Sequence, residues 1–196
     1  MRYGGDNMVI VEIGIKLDQG FKYYDNLLKS HGLTNDFKVI THDIYYTNKS
    51  LDGLSESEMK NACIRLRSHN HTNYKVQNNL INGLDVEEVS NHEFNDFENR
   101  LATFGYKKIF DTTKKDYHYY KDGMSSKIQL QQIEGVGTLV YYDNKDYYKF
   151  DLETQRKMLI DDLNSYGFHI DYDSLGLDKL RTLYYGREMF SKNQKG

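Results

Sequence analysis

Residues 9–17 read V-I-V-E-I-G-I-K-L, and alternation this strict narrows the available folds more than any other stretch of the chain. Successive side chains of an extended strand point to opposite faces, with a period of two. Val9, Val11, Ile13, Ile15 and Leu17 share one face, and Ile10, Glu12, Gly14 and Lys16 share the other. The first face is apolar and must be covered. The second carries a carboxylate, a gap and an ammonium. If enclosed, it makes a wet, charged lumen. If open, it is the solvated side of an ordinary strand. This segment alone leaves both readings standing.

The pattern then continues element by element. Residues 1–7 read as a loose leader. Phe21, Tyr24, Leu27 and Leu28 fall at helical spacing within 21–31, and Gly32 follows as a stop. Strands are expected at 37–46, 62–68, 73–78 and 84–89, with a polar loop at 48–58 and an Asn82-Gly83 turn. A helix is expected at 91–104, with Phe94, Phe97, Leu101 and Phe104 on its apolar side and Gly105 as its stop. Long strands at 106–120, 126–133 and 137–143 are joined by Asp122-Gly123 and Glu134-Gly135 turns. Helices are expected at 151–166, with Leu152, Leu159 and Leu163 as the stripe, and at 177–190. Residues 191–196 are a polar tail. Short links make the eight strands largely antiparallel. With no linker or repeat, the expectation is one α+β domain over residues 1–196.

Several strands place charges between aliphatic or aromatic residues. Lys16, Arg65, Arg67, Lys75, and Lys114 or Lys115 supply cations on the alternation rule, and Glu12, Glu87 and Asp143 supply carboxylates. Like cations brought together repel unless an anion lies between them, so a closed sheet would imply a polyanionic ligand. The guanidinium forks of Arg65 and Arg67 suit phosphate oxygens. Left open, the same residues are solvent-facing members of hairpins, though open edges are exposed to further pairing that closure removes.

Composition sets the outer bounds. A net charge of −3 over 196 residues gives no global attraction to nucleic acid or to an anionic membrane. No apolar run is long enough to cross a bilayer, and no signal peptide is visible. One cysteine, Cys63, excludes an intrachain disulfide and fits a reducing compartment. The expectation is a soluble cytoplasmic protein of unknown oligomeric state. The histidines show no metal-ligand spacing, and Gly135 to Gly137 make a hairpin turn with no helix behind it.

In order, E-I-G-I-K at Glu12 to Lys16, H-D-I-Y-Y at His42 to Tyr46, I-R-L-R at Ile64 to Arg67 and Y-K-V at Tyr74 to Val76 resemble one family. F-G-Y at Phe104 to Tyr106, T-K-K-D-Y-H-Y at Thr113 to Tyr119 and I-E-G-V-G-T-L-V-Y-Y-D at Ile133 to Asp143 continue the likeness. This family is the CYTH superfamily, the adenylate cyclase and thiamine triphosphatase group, also called triphosphate tunnel metalloenzymes. The resemblance implies an eight-stranded antiparallel closed β-tunnel with helices packed outside. It implies a small-molecule triphosphate held by Arg65, Arg67, Lys75 and Lys114, with Lys16 near the scissile phosphate. Mg²⁺ or Mn²⁺ would be held by Glu12 and Asp143, with Glu87, which alternation favours over Glu88 as the inward residue, unless a bulge or slip reverses the choice.

The chain departs from the pattern at the acids. Gly14 replaces the second glutamate of E-x-E-x-K. Gln131 replaces the acid at the start of the hairpin, Tyr141 the first glutamate of the terminal E-x-E, and Asp143 the second. Asp116 replaces the second basic residue of K-x-R. Two functions are therefore expected. One is a divalent-metal-dependent triphosphatase acting on inorganic triphosphate or a small organic triphosphate, with adenylate cyclase as a variant. The other is a binding module that keeps the cations but has lost the metal chemistry, since hard cations need oxygen ligands.

Overall fold

The computed structural model describes residues 11–78, 80–81, 86–170, 180 and 182–185, with backbone only at 36 and 37. Besides a 3-10 turn at Lys145–Tyr147 and helical residues at 180 and 182–185, eight strands and four α-helices are described: β1 (Glu12–Lys16), α1 (Phe21–Ser30), β2 (Thr34–Thr47), α2 (Glu56–Ala62), β3 (Ile64–His69) and β4 (Tyr74–Gln77). Then come β5 (Glu88–Val89), α3 (Phe94–Thr103), β6 (Lys107–Tyr120), β7 (Ile128–Ile133), β8 (Gly137–Asp143) and α4 (Leu152–Ser165). The strands form one sheet in the order β1-β8-β7-β6-β2-β3-β4-β5. The assigned ladders are antiparallel. No hydrogen-bonded pairing of β1 with β5 is found among the described residues, so β1 and β5 end the ladder.

The chain gathers into two compact units. The first comprises 1–38, 116–132 and 137–177, and the second 39–115, 133–136 and 178–196. In the first, the apolar face of β1 is buried as its alternation requires: Ile13, Ile15 and Leu17 pack with Tyr24 and Leu28 of α1, Tyr119 of β6, Ile128 and Leu130 of β7, Val140 and Tyr142 of β8. Helix α4 adds Leu159, Ile160 and Leu163. Leu152, expected in its stripe, is 46% exposed. It is the first residue of the helix, beside the Asp151 N-cap. In the second unit, Ile44 and Tyr46 of β2, Ile64 and Leu66 of β3, Val89, and Phe97 and Leu101 of α3 form a separate core. Phe104 lies past the end of α3 and is exposed.

Helix α2 occupies part of the span expected as a polar loop. Its start is a capping box: Ser55 Oγ accepts from the Glu58 backbone N–H at 3.3 Å, and Glu58 Oε2 accepts from the Ser55 N–H at 2.8 Å. Each side chain satisfies an otherwise orphaned donor of the first turn. Ser55→Ala is expected to lower the thermal midpoint by about 2–4 °C, the effect of a cap worth about 1 kcal/mol in a chain of this size. Calorimetric melting of the two proteins checks it, and an unchanged midpoint removes the cap from the stability of this segment.

Of the expected C-terminal helix, Leu180 and 182–185 are helical, and the rest lies outside the described residues, as do Val9, Ile10 and residues 82–85. Among the described residues no helix is long and apolar enough to cross a membrane.

Candidate functional site

The second unit assembles the cations. Ile44, Ile64, Leu66 and Val76 are turned to the core, so the period of two puts Asp43, Tyr45, Arg65, Arg67, Lys75 and Gln77 on the opposite face. Register then pairs Asp43 with Arg67, Tyr45 with Arg65, Gln77 with Arg65 and Lys75 with Arg67. Lys114 comes from β6 and is 3% exposed.

At the centre stands Asp43, fully buried. Arg67 grips it with a two-pronged fork, Nε to Oδ1 at 2.6 Å and Nη2 to Oδ2 at 2.7 Å. The Lys114 ammonium donates to Oδ2, and the Tyr45 hydroxyl donates to the same oxygen at 3.3 Å. Arg65 donates through Nη2 to the neutral amide oxygen of Gln77. Sequence reasoning expected the separating anion to be a ligand; at Arg67 and Lys114 the chain supplies one itself. Asp43 was legible only as part of the H-D-I-Y-Y resemblance, although Ile44 beside it fixes its face.

These contacts set the titration of the cluster. Burial pushes the Asp43 carboxyl upward, but the Arg67 hydrogen bonds and the charges of Lys114 and Arg67 outweigh it and hold the group well below the usual carboxylate range. For Lys114, burial pushes the ammonium pKa down. Asp43 pulls it back, Arg67 and Arg65 push it further down, and the result is a lowered value. Burial, followed by the charge of Asp43, pushes the Tyr45 hydroxyl up to about 12. One carboxylate thus serves two cations, with a third on the adjoining rung.

Lys75 is exposed, and the residue opposite it on β5 is Glu88. Glu88 also accepts from Asn73 Nδ2 at 2.9 Å. The expectation that Glu87 faces the cations is corrected here. Val86 and Val89 both pack on the core although three residues apart, which strict alternation forbids, so the face changes between them. Glu87 precedes the strand, its carbonyl accepting from the Val76 N–H at 2.8 Å.

The first unit holds the other expected residues. Glu12 pairs with Asp143 across β1 and β8, Gly14 with Tyr141, and Lys16 with Leu139. All lie on the face opposite the core. A cavity of about 340 Å³ is lined here by Glu12, His118, Gln129, Tyr141, Asp143 and Lys145, among others. A Cβ added at Gly14 would lie 2.7 Å from Cε1 and 3.0 Å from Cδ1 of the Tyr141 ring. Asp116 is buried, and one of its oxygens accepts from Gln129 Nε2 at 2.8 Å and from Gln131 Nε2.

Gly14 thus meets Tyr141, and Asp116 meets Gln131, the first pair by close packing and the second by a hydrogen bond. Two carboxylates hold a hard divalent cation only where water or a bound phosphate completes its shell. Among the described residues no three of His, Cys, Asp or Glu are grouped so as to hold a metal ion. Glu12 and Asp143 are two, and the next rung adds no acid. Buried Cys63, whose thiol burial pushes up to about 11, is poorly suited to nucleophilic chemistry.

No family model matches the chain, and no curated protein does. Solved structures do. A protein from Pyrococcus horikoshii OT3 is 14% identical with a TM-score of 0.53, the match covering 90% of this chain and 99% of that one. A conserved hypothetical protein from Pyrococcus furiosus is likewise 14% identical with a TM-score of 0.53, covering 89% and 99%. What this chain shares with both is the fold, an α+β architecture that extends over nearly the whole of each.

Proposed function

We propose that the chain is a divergent triphosphate-tunnel protein that binds inorganic triphosphate or a small organic triphosphate, with Arg65, Arg67, Lys75 and Lys114 as its phosphate-binding residues. The observation that carries this reading is the imbalance around Asp43. Two cations share that carboxylate, and Arg65 on the next rung meets Gln77 and Tyr45, both neutral. A phosphate oxygen adds negative charge where desolvated cations repel one another, and charge-assisted contacts there are the strong kind. The closed eight-stranded tunnel belongs to the same reading, since closure turns the charged faces inward and removes the edges.

Calorimetry with inorganic triphosphate in a chelator tests it. Saturable binding without metal is the expected result. Binding is also expected to take up protons at alkaline pH, because a phosphate beside Lys114 raises its lowered pKa, and heats measured in buffers of different ionisation enthalpy report that uptake. Absence of binding ends the reading.

A second reading, hydrolysis, draws on Glu12 and Asp143 facing each other on the strand that carries Lys16 and its neighbour. Phosphate release from triphosphate, thiamine triphosphate and ATP with Mg²⁺ or Mn²⁺ decides between the two, and cyclic AMP from ATP would mark a cyclase. Turnover that requires the metal would replace the binding reading with the enzymatic one.

A further inference from the structure

We propose that Tyr141 keeps divalent metal away from the Glu12–Asp143 pair, and that residue 14 is glycine because the Tyr141 ring occupies the space its side chain would need. This inference deepens the metal-free reading above and is tested apart from triphosphate binding.

Three rungs lie along one face of the β1–β8 ladder. Its first rung is Glu12 opposite Asp143, two like charges directly across from each other, an arrangement that is destabilising unless a cation relieves it. A hard cation held there by two carboxylates alone completes its shell with water, and only further protein oxygens at about 2.0–2.6 Å would hold it tightly. The second rung supplies no carboxylate. Gly14 has no side chain, and Tyr141 offers a ring whose edge reaches to 2.7 Å from the missing Cβ. The third rung is Lys16 opposite Leu139, an ammonium and an aliphatic chain, which repel a cation or ignore it. On the neighbouring strand β7, the amide nitrogens of Gln129 and Gln131 are turned onto Asp116, so that carboxylate is already engaged. The two positions of the second rung are coupled: a side chain at 14 would meet the Tyr141 ring, so the ring or the strand would have to shift.

Two measurements on the full chain test the two halves. The first is a thermal double-mutant cycle. Gly14→Ala is expected to lower the midpoint by about 2–4 °C while Tyr141 is present. In the Tyr141→Ala background the same change is expected to be neutral or to raise it, because alanine is the better strand residue once the space is open. Equal effects in the two backgrounds overturn the coupling. The second is a Mn²⁺ titration followed by calorimetry and by loss of the free-ion paramagnetic resonance signal. The wild type is expected to show no saturable binding. Tyr141→Glu is expected to create it, and Gly14→Glu with Tyr141→Glu to tighten it by about 10–100-fold, the range by which a ligand or its support changes metal affinity. Glu12→Gln in the Tyr141→Glu protein is expected to abolish it. Saturable Mn²⁺ binding by the wild type that Glu12→Gln removes overturns the exclusion. So does failure of folded Tyr141→Glu to bind. The single Tyr141→Glu variant carries the test should the double variant not fold. Triphosphate binding without metal is scored independently through Arg65, so loss of one conclusion leaves the other standing.

Discussion

Asp43→Ala is expected to cost about 3–5 kcal/mol of folding stability, the loss seen when one partner of a buried ion pair is removed and the other stays. In a chain of this size that is a fall in midpoint of roughly 6–20 °C. The cost comes from what remains: Lys114, 3% exposed, and the Arg67 fork both lose the oxygens they donate to. Asp43→Asn keeps the shape and loses the charge, so most of the fall should persist. The pH dependence has a defined sign. A carboxyl whose folded pKa lies below its unfolded value contributes stability that is fully present above the ordinary carboxylate range and lost as pH falls through the lowered folded value. The gap between wild type and Asp43→Asn should therefore hold at neutral pH and close only in strong acid. Triphosphate should raise the midpoint of Asp43→Ala by more than it raises that of the wild type, because the anion takes the place of the missing carboxylate. A variant melting at the wild-type temperature would show that Arg67 and Lys114 are stable without their shared partner.

Arg65→Ala is expected to weaken triphosphate binding by about 10- to 150-fold, the equivalent of about 1.5–3 kcal/mol for a charge-assisted contact in a partly desolvated site. Lys157→Ala is the control. Lys157 is exposed on α4, away from Leu159, Ile160 and Leu163, where an ion contact contributes about 0–1 kcal/mol. Unliganded Arg65→Ala should melt close to wild type: its removal relieves repulsion among the cations and breaks its hydrogen bond to a neutral amide. The shift in midpoint produced by triphosphate should shrink. Equal binding by the two variants would remove Arg65 from the phosphate site.

The elements that the sequence made legible are those whose pattern repeats over several residues. The alternation in β1 and β3 put Ile13, Ile15, Ile64 and Leu66 inside and the charges on the other face, and the structure agrees. The helical spacing of Phe97 and Leu101 likewise located α3. Illegible features depended on a single residue or on what stands across the sheet. Strand β5 is two residues long, too short for periodicity to choose between Glu87 and Glu88. The Ser55-x-x-Glu58 signal for α2 was present but sat in a stretch of polar residues with little apolar pattern. The role of Asp43 depends on Lys114, which lies 71 residues further along the chain. Gly14 and Tyr141 lie far apart in the sequence, and only the register places them on one rung.

That same ladder governs how the chain emerges from the ribosome. Lys16 pairs with Leu139, which is synthesised 123 residues later. At about 5–20 residues per second, β1 waits roughly 6–25 s for its partner strand. During that time its backbone donors are open and Ile13 and Ile15 have no β7 or β8 to cover them. Glu12 and Lys16, alternating with those isoleucines, put charge of both signs on the waiting strand, the device by which unpaired edges resist pairing with another chain. Charge alternating along β1 is of the kind that keeps an unpaired strand from pairing with another chain before its own sheet exists.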